Sequence, residues 1–116
     1  MTAFAVATIC FCKPLWLKAE TRYLASQLCR ASTSTASNYR VACRARSKRE
    51  FISKLGIALE EADECAGWFE VLGAAQLADA NAIRPLLQEA RELVAILAAS
   101  RLTAQGRMQG ATINPK

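Results

Sequence analysis

Histidine is absent from all 116 residues, which removes the commonest general base and the commonest metal ligand together. The five cysteines, Cys10, Cys12, Cys29, Cys43 and Cys65, are an odd number with no CxxC pair among them. Cys10 and Cys12 form a CxC, too close for an easy mutual disulfide. Small buried or half-buried thiols in a reducing cytosol are the ordinary reading of such a set. Zinc would need a second ligand pair at finger-like spacing, and there is none. No metal, no cofactor and a cytoplasmic location are therefore expected. Prolines number only three, at 14, 85 and 115, so long uninterrupted helices fit between them. Runs of β-branched residues and closely spaced turn signals are also nearly missing. What remains is alanine-rich and 53% hydrophobic, the material of one all-α domain large enough to bury a single core.

No segment is apolar for long enough to span a bilayer, which takes about 20 residues. The run from Thr2 to Cys12 lacks a basic start and a cleavage site, so it is not expected to be a targeting signal. It reads as a short buried helix, about residues 2–13, with Phe4, Ala7 and Phe11 on one side and Val6, Ile9 and Cys10 around the rest. Pro14 and Trp16 mark its exit.

A second helix is predicted over about residues 21–46. Leu24, Leu28, Ala31, Thr35, Tyr39 and Ala42 recur at three- and four-residue steps and define an inward face. The STSTAS run from Ser32 to Ser37 either interrupts this helix, since hydroxyls compete for backbone groups, or lets a neighbour approach closely. Asn38, beside the inward face, calls for a buried hydrogen-bond partner. On the opposite side Arg22, Arg30, Arg40 and Arg44 fall within roughly 80° of each other at 100° per residue. No acid interrupts them between Thr21 and Arg49.

The third helix, about residues 48–73, has the clearest pattern. Ser47 and Glu50 form a capping box. Phe51, Leu55, Ala58, Ala62, Cys65, Phe69 and Leu72 then alternate in steps of four and three, a seam typical of helices packed near 20°. Gly73 is the expected stop. On the outer side, Gly56, Ile57, Gly67, Trp68 and Val71 make an unusual solvated face and are expected to be a subunit interface; scattered exposed apolar residues are the ordinary alternative. A fourth helix over about residues 83–103 is capped by Asp79 or Asn81, with Pro85 in its first turn. Residues 105–116 are expected to form a disordered tail. Short loops between four helices over residues 1–104 predict an antiparallel up-down-up-down four-helix bundle.

Charge is segregated. Arg40, Arg44, Arg46, Lys48, Arg49 and Lys54 stand against the single acid Glu50, while residues 60–70 hold Glu60, Glu61, Asp63, Glu64 and Glu70 with no base. Bases at a helix N-terminus oppose its dipole, so this corner is either an ordinary solvated surface or a site for an anionic partner or an acidic neighbouring subunit. The paired acids do not read as a di-iron site, because such bundles use Glu-x-x-His pairs pointing inward. With no glycine-rich phosphate loop either, an enzyme is not expected.

The stretch SNYRVACRARSKREFISKLGIALEEADECAGWFEVL also resembles a four-helix-bundle protein family first noticed in open reading frames within intervening sequences of bacterial 23S ribosomal RNA genes. Ser37, Asn38 and Tyr39, then Arg44, Arg46, Ser47, Lys48, Glu50 and Phe51, correspond to its central motif, and the likeness covers roughly residues 3–104. The first helix lacks the polar turns that precede it in the family, which reads as an internal start, and the CFCKPLW stretch is unusual. Relatives of the family form ring-shaped homopentamers of antiparallel four-helix bundles, and they include the accessory protein of diversity-generating retroelements, which binds nucleic acid and a reverse transcriptase. The resemblance thus implies a homo-oligomer, a pentamer, whose basic corner contacts RNA or DNA. In that reading Arg40, Arg44, Arg46, Lys48 and Arg49 neutralise phosphates and Arg22 and Arg30 extend the track. Binding would then be sequence-tolerant and salt-dependent, with Tyr39 the one aromatic near the patch for base stacking. The alternative is a protein-interaction module with no nucleic-acid binding.

Overall fold

In a computed structural model, the described residues are 1–113, with side chains described through 106. Among them the chain is an all-α, antiparallel up-down-up-down bundle of α1 (Thr2–Cys12), α2 (Ala19–Cys43), α3 (Lys48–Ala74) and α4 (Ala80–Ile113), with a 3₁₀ turn at Lys13–Leu17 between the first two. α3 packs along both α2 and α4, and the shorter α1 lies on α2 and touches α4. The molecule is a rod of 60 × 23 × 19 Å.

The seam of α3 organises the core. Leu55, Ala58, Ala62, Cys65, Phe69 and Leu72 are all buried, and Phe51 is half-buried. Two apolar clusters follow along it. The larger joins Phe4, Leu28, Phe69, Leu72 and Leu86 from all four helices, with the rings of Phe11 and Phe69 edge-on at 5.5 Å. The smaller joins Ala42, Leu55, Ala58, Ala62 and Leu97, where α2, α3 and α4 carry the packing with Met1 at the margin. Each buried Phe or Leu contributes about 1.5–3 kcal/mol.

The hydroxyl run in α2 does not interrupt the helix. Ser32 donates to the Cys29 carbonyl at 3.1 Å, Thr33 to the same oxygen at 2.9 Å and Thr35 to the Ala31 carbonyl at 2.8 Å. These bonds back along the helix satisfy the hydroxyls, so Ser32 and Thr35 sit fully buried. Asn38 is half-buried and donates to the Ser34 carbonyl at 2.9 Å.

Several expectations are corrected. α1 buries Phe4, Ala5, Thr8 and Cys12 and leaves Ala7, Val6 and Ile9 exposed. A helix that is apolar nearly all round has no amphipathic contrast to name its inner face. Tyr39 is exposed rather than inward. At about 1.5 Å per residue, α1 is about 17 Å long against about 38 Å for α2, so α2 runs on past its cover. Cys10 and Cys43 are exposed thiols, Cys29 is intermediate, and only Cys12 and Cys65 are buried.

α3 stops through Gln76, not Gly73. Gln76 has φ 57°, its amide donates to the Gly73 carbonyl at 3.1 Å, and the Leu77 amide donates to Leu72 at 2.9 Å. That pair of bonds is the Schellman arrangement, here with an L-residue in the left-handed position. α4 starts earlier than predicted: the Asp79 carboxylate accepts from the Asn81 amide at 3.1 Å. Pro85 consequently lies past the first turn, inside the helix. The helix also runs beyond Thr103, through most of the expected tail, to Ile113, there being no proline before Pro115. The remainder of that expected tail, residues 114–116, lies outside the described residues.

Candidate nucleic-acid interface

The α2–α3 turn is built by Ser47. With extended backbone (φ −145°, ψ 159°) its hydroxyl accepts from the Glu50 amide at 3.1 Å, and the Ser47 carbonyl accepts from Phe51 at 3.0 Å. Glu50 reaches back so that its carboxylate accepts from the Arg46 amide at 3.4 Å. The Ser47 half of the capping box is as the sequence predicts, while Glu50 meets the Arg46 amide one residue before the cap instead of the Ser47 amide, and this has an electrostatic consequence. The corner's single acid faces a backbone amide, not a guanidinium.

The bases around it are therefore unmatched. Arg40 lies on the last turn of α2, Arg44 at its end, Arg46 in the turn, and Lys48 and Arg49 on the first turn of α3, all of them exposed. None has a carboxylate oxygen within 4.0 Å among the described residues; the ion pairs there are Arg30 with Glu61 and Glu64, and Arg91 with Glu70. The positive dipole end of α3 meets the negative end of α2 at this corner, so the helix termini largely offset each other and the side chains dominate the field.

The remaining basic-stripe residues lie elsewhere. Arg22 sits about 33 Å along α2 from Arg44 at about 1.5 Å per residue, and its Nε donates to the Trp16 carbonyl at 3.2 Å. Arg30 bridges to α3, with Nη1 2.9 Å from Glu61 and Nη2 bonded to Glu64. It serves as an interhelical clamp. The acidic run that looked separate from the bases is thus partly neutralised by α2 and α4, while the basic corner is not.

A further base from α4 lies on the second and third turns of α3. Arg101 reaches across α3, its Nε 3.4 Å from the Ile52 carbonyl. A methyl group at position 56 would stand 3.1–3.2 Å from its guanidinium atoms, so Gly56 makes room for Arg101 and its face is covered within the chain. The other four residues of the expected subunit interface divide. Gly67 is open, with no atom within 4 Å of a side chain built there, and Ile57 and Val71 are exposed. Trp68 is half-buried against the larger core cluster, edge-on to Tyr23 at 6.3 Å, with its indole N–H donating to Glu64 at 3.0 Å. Additional apolar side chains reach the surface on α1 and the turn after it, Val6 at 54% and Leu17 at 82% exposure.

Beside the corner, a groove of about 380 Å³ opens between the start of α3 and α4, lined by Lys48, Phe51, Ala99, Ser100, Thr103 and Ala104. Sequence periodicity placed Phe51 in the seam and could not show this half-open position. At the other end a cleft of about 430 Å³ lies among Cys10, Phe11, Pro14, Leu15, Lys18 and the α3–α4 loop. Among the described residues no helix is long and apolar enough to cross a membrane, and no group of three or more Cys, Asp or Glu side chains is placed to share a metal ion.

The model of the family described as 23S rRNA-intervening sequence protein matches residues 2–99. A solved structure from Bacteroides thetaiotaomicron VPI-5482, described as a protein with unknown function from the S23 ribosomal protein family, is similar with a TM-score of 0.81. The two are 29% identical over 86% of this chain and 93% of that one. No curated protein matches the chain.

Proposed function

The chain belongs to the 23S rRNA-intervening sequence protein family, and from that premise we propose that it is a non-enzymatic, oligomeric scaffold of the cytoplasm that binds the backbone of RNA or DNA at the α2–α3 corner. The observation that carries this reading is the set of five exposed bases, Arg40, Arg44, Arg46, Lys48 and Arg49, with no carboxylate within 4.0 Å among the described residues. Cations placed this way bind phosphates by releasing condensed counterions, with no need for base-reading elements. The exposed apolar side chains Ile57, Val71, Val6 and Leu17 support self-association, and the family resemblance sets the expected assembly at a homopentamer. The same apolar surface favours a second reading, a protein-interaction module that does not bind nucleic acid.

Fluorescence anisotropy of a labelled single strand across a salt series tests the first reading. Five phosphate contacts predict a slope of log affinity on log salt of about −3.5, taking about −0.7 per contact. The triple change Arg40→Glu, Arg44→Glu and Arg46→Glu should abolish binding while light scattering reports an unchanged assembly. No binding at low salt moves the assignment to the protein-interaction module. Binding that survives the triple change removes the site from this corner, and a monomer by light scattering removes the oligomer.

A further inference from the structure

We propose that the groove between α3 and α4 is a subsite for one unstacked nucleobase, so that the protein favours single-stranded over paired nucleic acid. This inference rests on the backbone-binding reading above and adds to it a place for the base itself.

Three features of the groove combine. Its volume of about 380 Å³ falls within the roughly 300–1,000 Å³ of small-ligand clefts, enough for a base and too little for a folded partner. Its lining pairs an aromatic and two alanines with the hydroxyls of Ser100 and Thr103. A base needs that mixture, an apolar surface for its faces and hydrogen-bonding groups at its edge. Phe51 is held from behind by the smaller core cluster, which fixes the aromatic wall. The third feature is charge. Lys48 is on the rim, Arg49 follows it, and Arg101 projects from the same stretch of α4 across Gly56. Phosphates on either side of a docked base would meet cations on both helices. Charge complementarity thus calls for an anionic occupant. The aromatic and hydroxyl lining of the groove selects a nucleic-acid strand over the acidic face of a second copy, whose Glu60, Asp63 and Glu70 carboxylates have no flat ring to dock.

The hydroxyls and Phe51 contact the base without reading a unique donor–acceptor pattern, so any of the common bases fits. The track also runs in two directions from the groove. Arg44 and Arg46 continue it over the α2–α3 turn, and Arg101 continues it over the back of α3.

The test compares oligomers of about ten nucleotides, within the usual site sizes for single strands. One is RNA, one is DNA of the same sequence, and one is an abasic sugar–phosphate strand with equal charge. The wild-type protein should bind RNA and DNA roughly tenfold more tightly than the abasic strand, the stacking contribution of a single base. The double variant Ala99→Leu and Thr103→Leu, at two exposed positions, fills the groove without altering charge and should remove that difference while leaving affinity for the abasic strand unchanged. Phe51→Leu should reduce the difference with the groove left open, and circular dichroism shows whether each variant is folded. Equal wild-type affinity for all three strands overturns the subsite and leaves the backbone reading standing; absence of binding to any strand overturns both. A filled-groove variant that changes the assembled mass with base preference intact assigns the groove to a second copy of the chain and overturns the proposal.

Discussion

Replacing Arg30 tests whether the basic stripe divides into a structural part and the proposed binding part. Arg30 and Arg44 share one face of α2, and the sequence alone treats them alike. In the fold Arg30 is 47% exposed and bonded to Glu61 and Glu64, whose side chains are 20% and 35% exposed. Exposed ion pairs contribute about 0.2–1 kcal/mol each, and the partial burial of the two carboxylates favours the upper part of that range. Arg30→Ala also leaves Glu61 and Glu64 as like charges three residues apart on one helix, a further few tenths of a kcal/mol. The sum is a loss of about 1.5–2.5 kcal/mol. For a chain of this size about 1 kcal/mol moves Tm by about 4 °C, so a fall of about 6–10 °C is expected by calorimetry. Arg44→Ala removes no ion pair, and its Tm should stay within about 2 °C, as for an unremarkable surface site. The binding results should be reversed. Arg44→Ala lowers the magnitude of the salt slope by about 0.7, while Arg30→Ala leaves the slope unchanged. A Tm unchanged by Arg30→Ala, with a slope reduced as much as by Arg44→Ala, would refute this division of roles.

Thr8 is fully buried and its hydroxyl has no hydrogen-bond partner among the described residues, so Thr8→Val should stabilise the protein by about 1 kcal/mol in chemical denaturation; a loss would mean the hydroxyl is satisfied after all. Gln76, with φ 57°, holds a conformation that costs an L-residue roughly 1–2 kcal/mol, partly offset in a glycine variant by its greater unfolded entropy. Gln76→Gly should therefore gain about 0.5–1 kcal/mol and Gln76→Val should lose stability, both read from denaturation midpoints. Burial pushes the Cys65 thiol up to about 12 and raises Cys12 as well. A thiol pKa raised on folding favours the protonated native state. Its contribution is thus intact below pH about 9 and is lost as pH rises toward 12. The double variant Cys12→Ala and Cys65→Ala should flatten the alkaline fall in stability relative to wild type. A thiol-reactive dye should label only Cys10 and Cys43 rapidly in the native protein, since both are exposed; prompt labelling of Cys65 would contradict the buried seam.

Legibility of the sequence depended on contrast. α3 was readable because its apolar seam alternates with polar residues and its start carries a capping box; every seam position beyond Phe51 is buried. α1 was not, because Val6, Ala7, Ile9 and Phe11 are all apolar and the inner face is chosen by what packs on it. Boundaries failed where tertiary packing holds an unfavourable residue in place. Gln76 adopts a left-handed stop, and Pro85 sits inside α4 beside the buried Leu86. In the candidate site, the turn and its cations could be read locally. The Arg30 clamp, the covering of Gly56 by Arg101 and the groove beside Phe51 join residues 31 to 53 positions apart, and no local pattern encodes such distances.

Glu50 links the fold of the corner to its charge. A carboxylate in the first turn of a helix has two uses, accepting backbone amides or pairing with a nearby base. A carboxylate at a helix N-terminus gains about 0.3–1 kcal/mol from the helix dipole, whereas an exposed ion pair is often near zero, so facing the helix end is the more favourable use. Glu50 accordingly faces the Arg46 amide, and the bases around it remain unpaired. Their mutual repulsion is weakened by water and salt but not cancelled. In the proposed binding, a polyanion would gain attraction at each of these cations with no ion pair among the described residues to break first. Arg30 would have to leave Glu61 and Glu64 to bind a phosphate, giving up much of what it gains. The contact that Glu50 makes at the start of α3 thus supports placing the proposed phosphate contacts at the corner and not along the whole stripe.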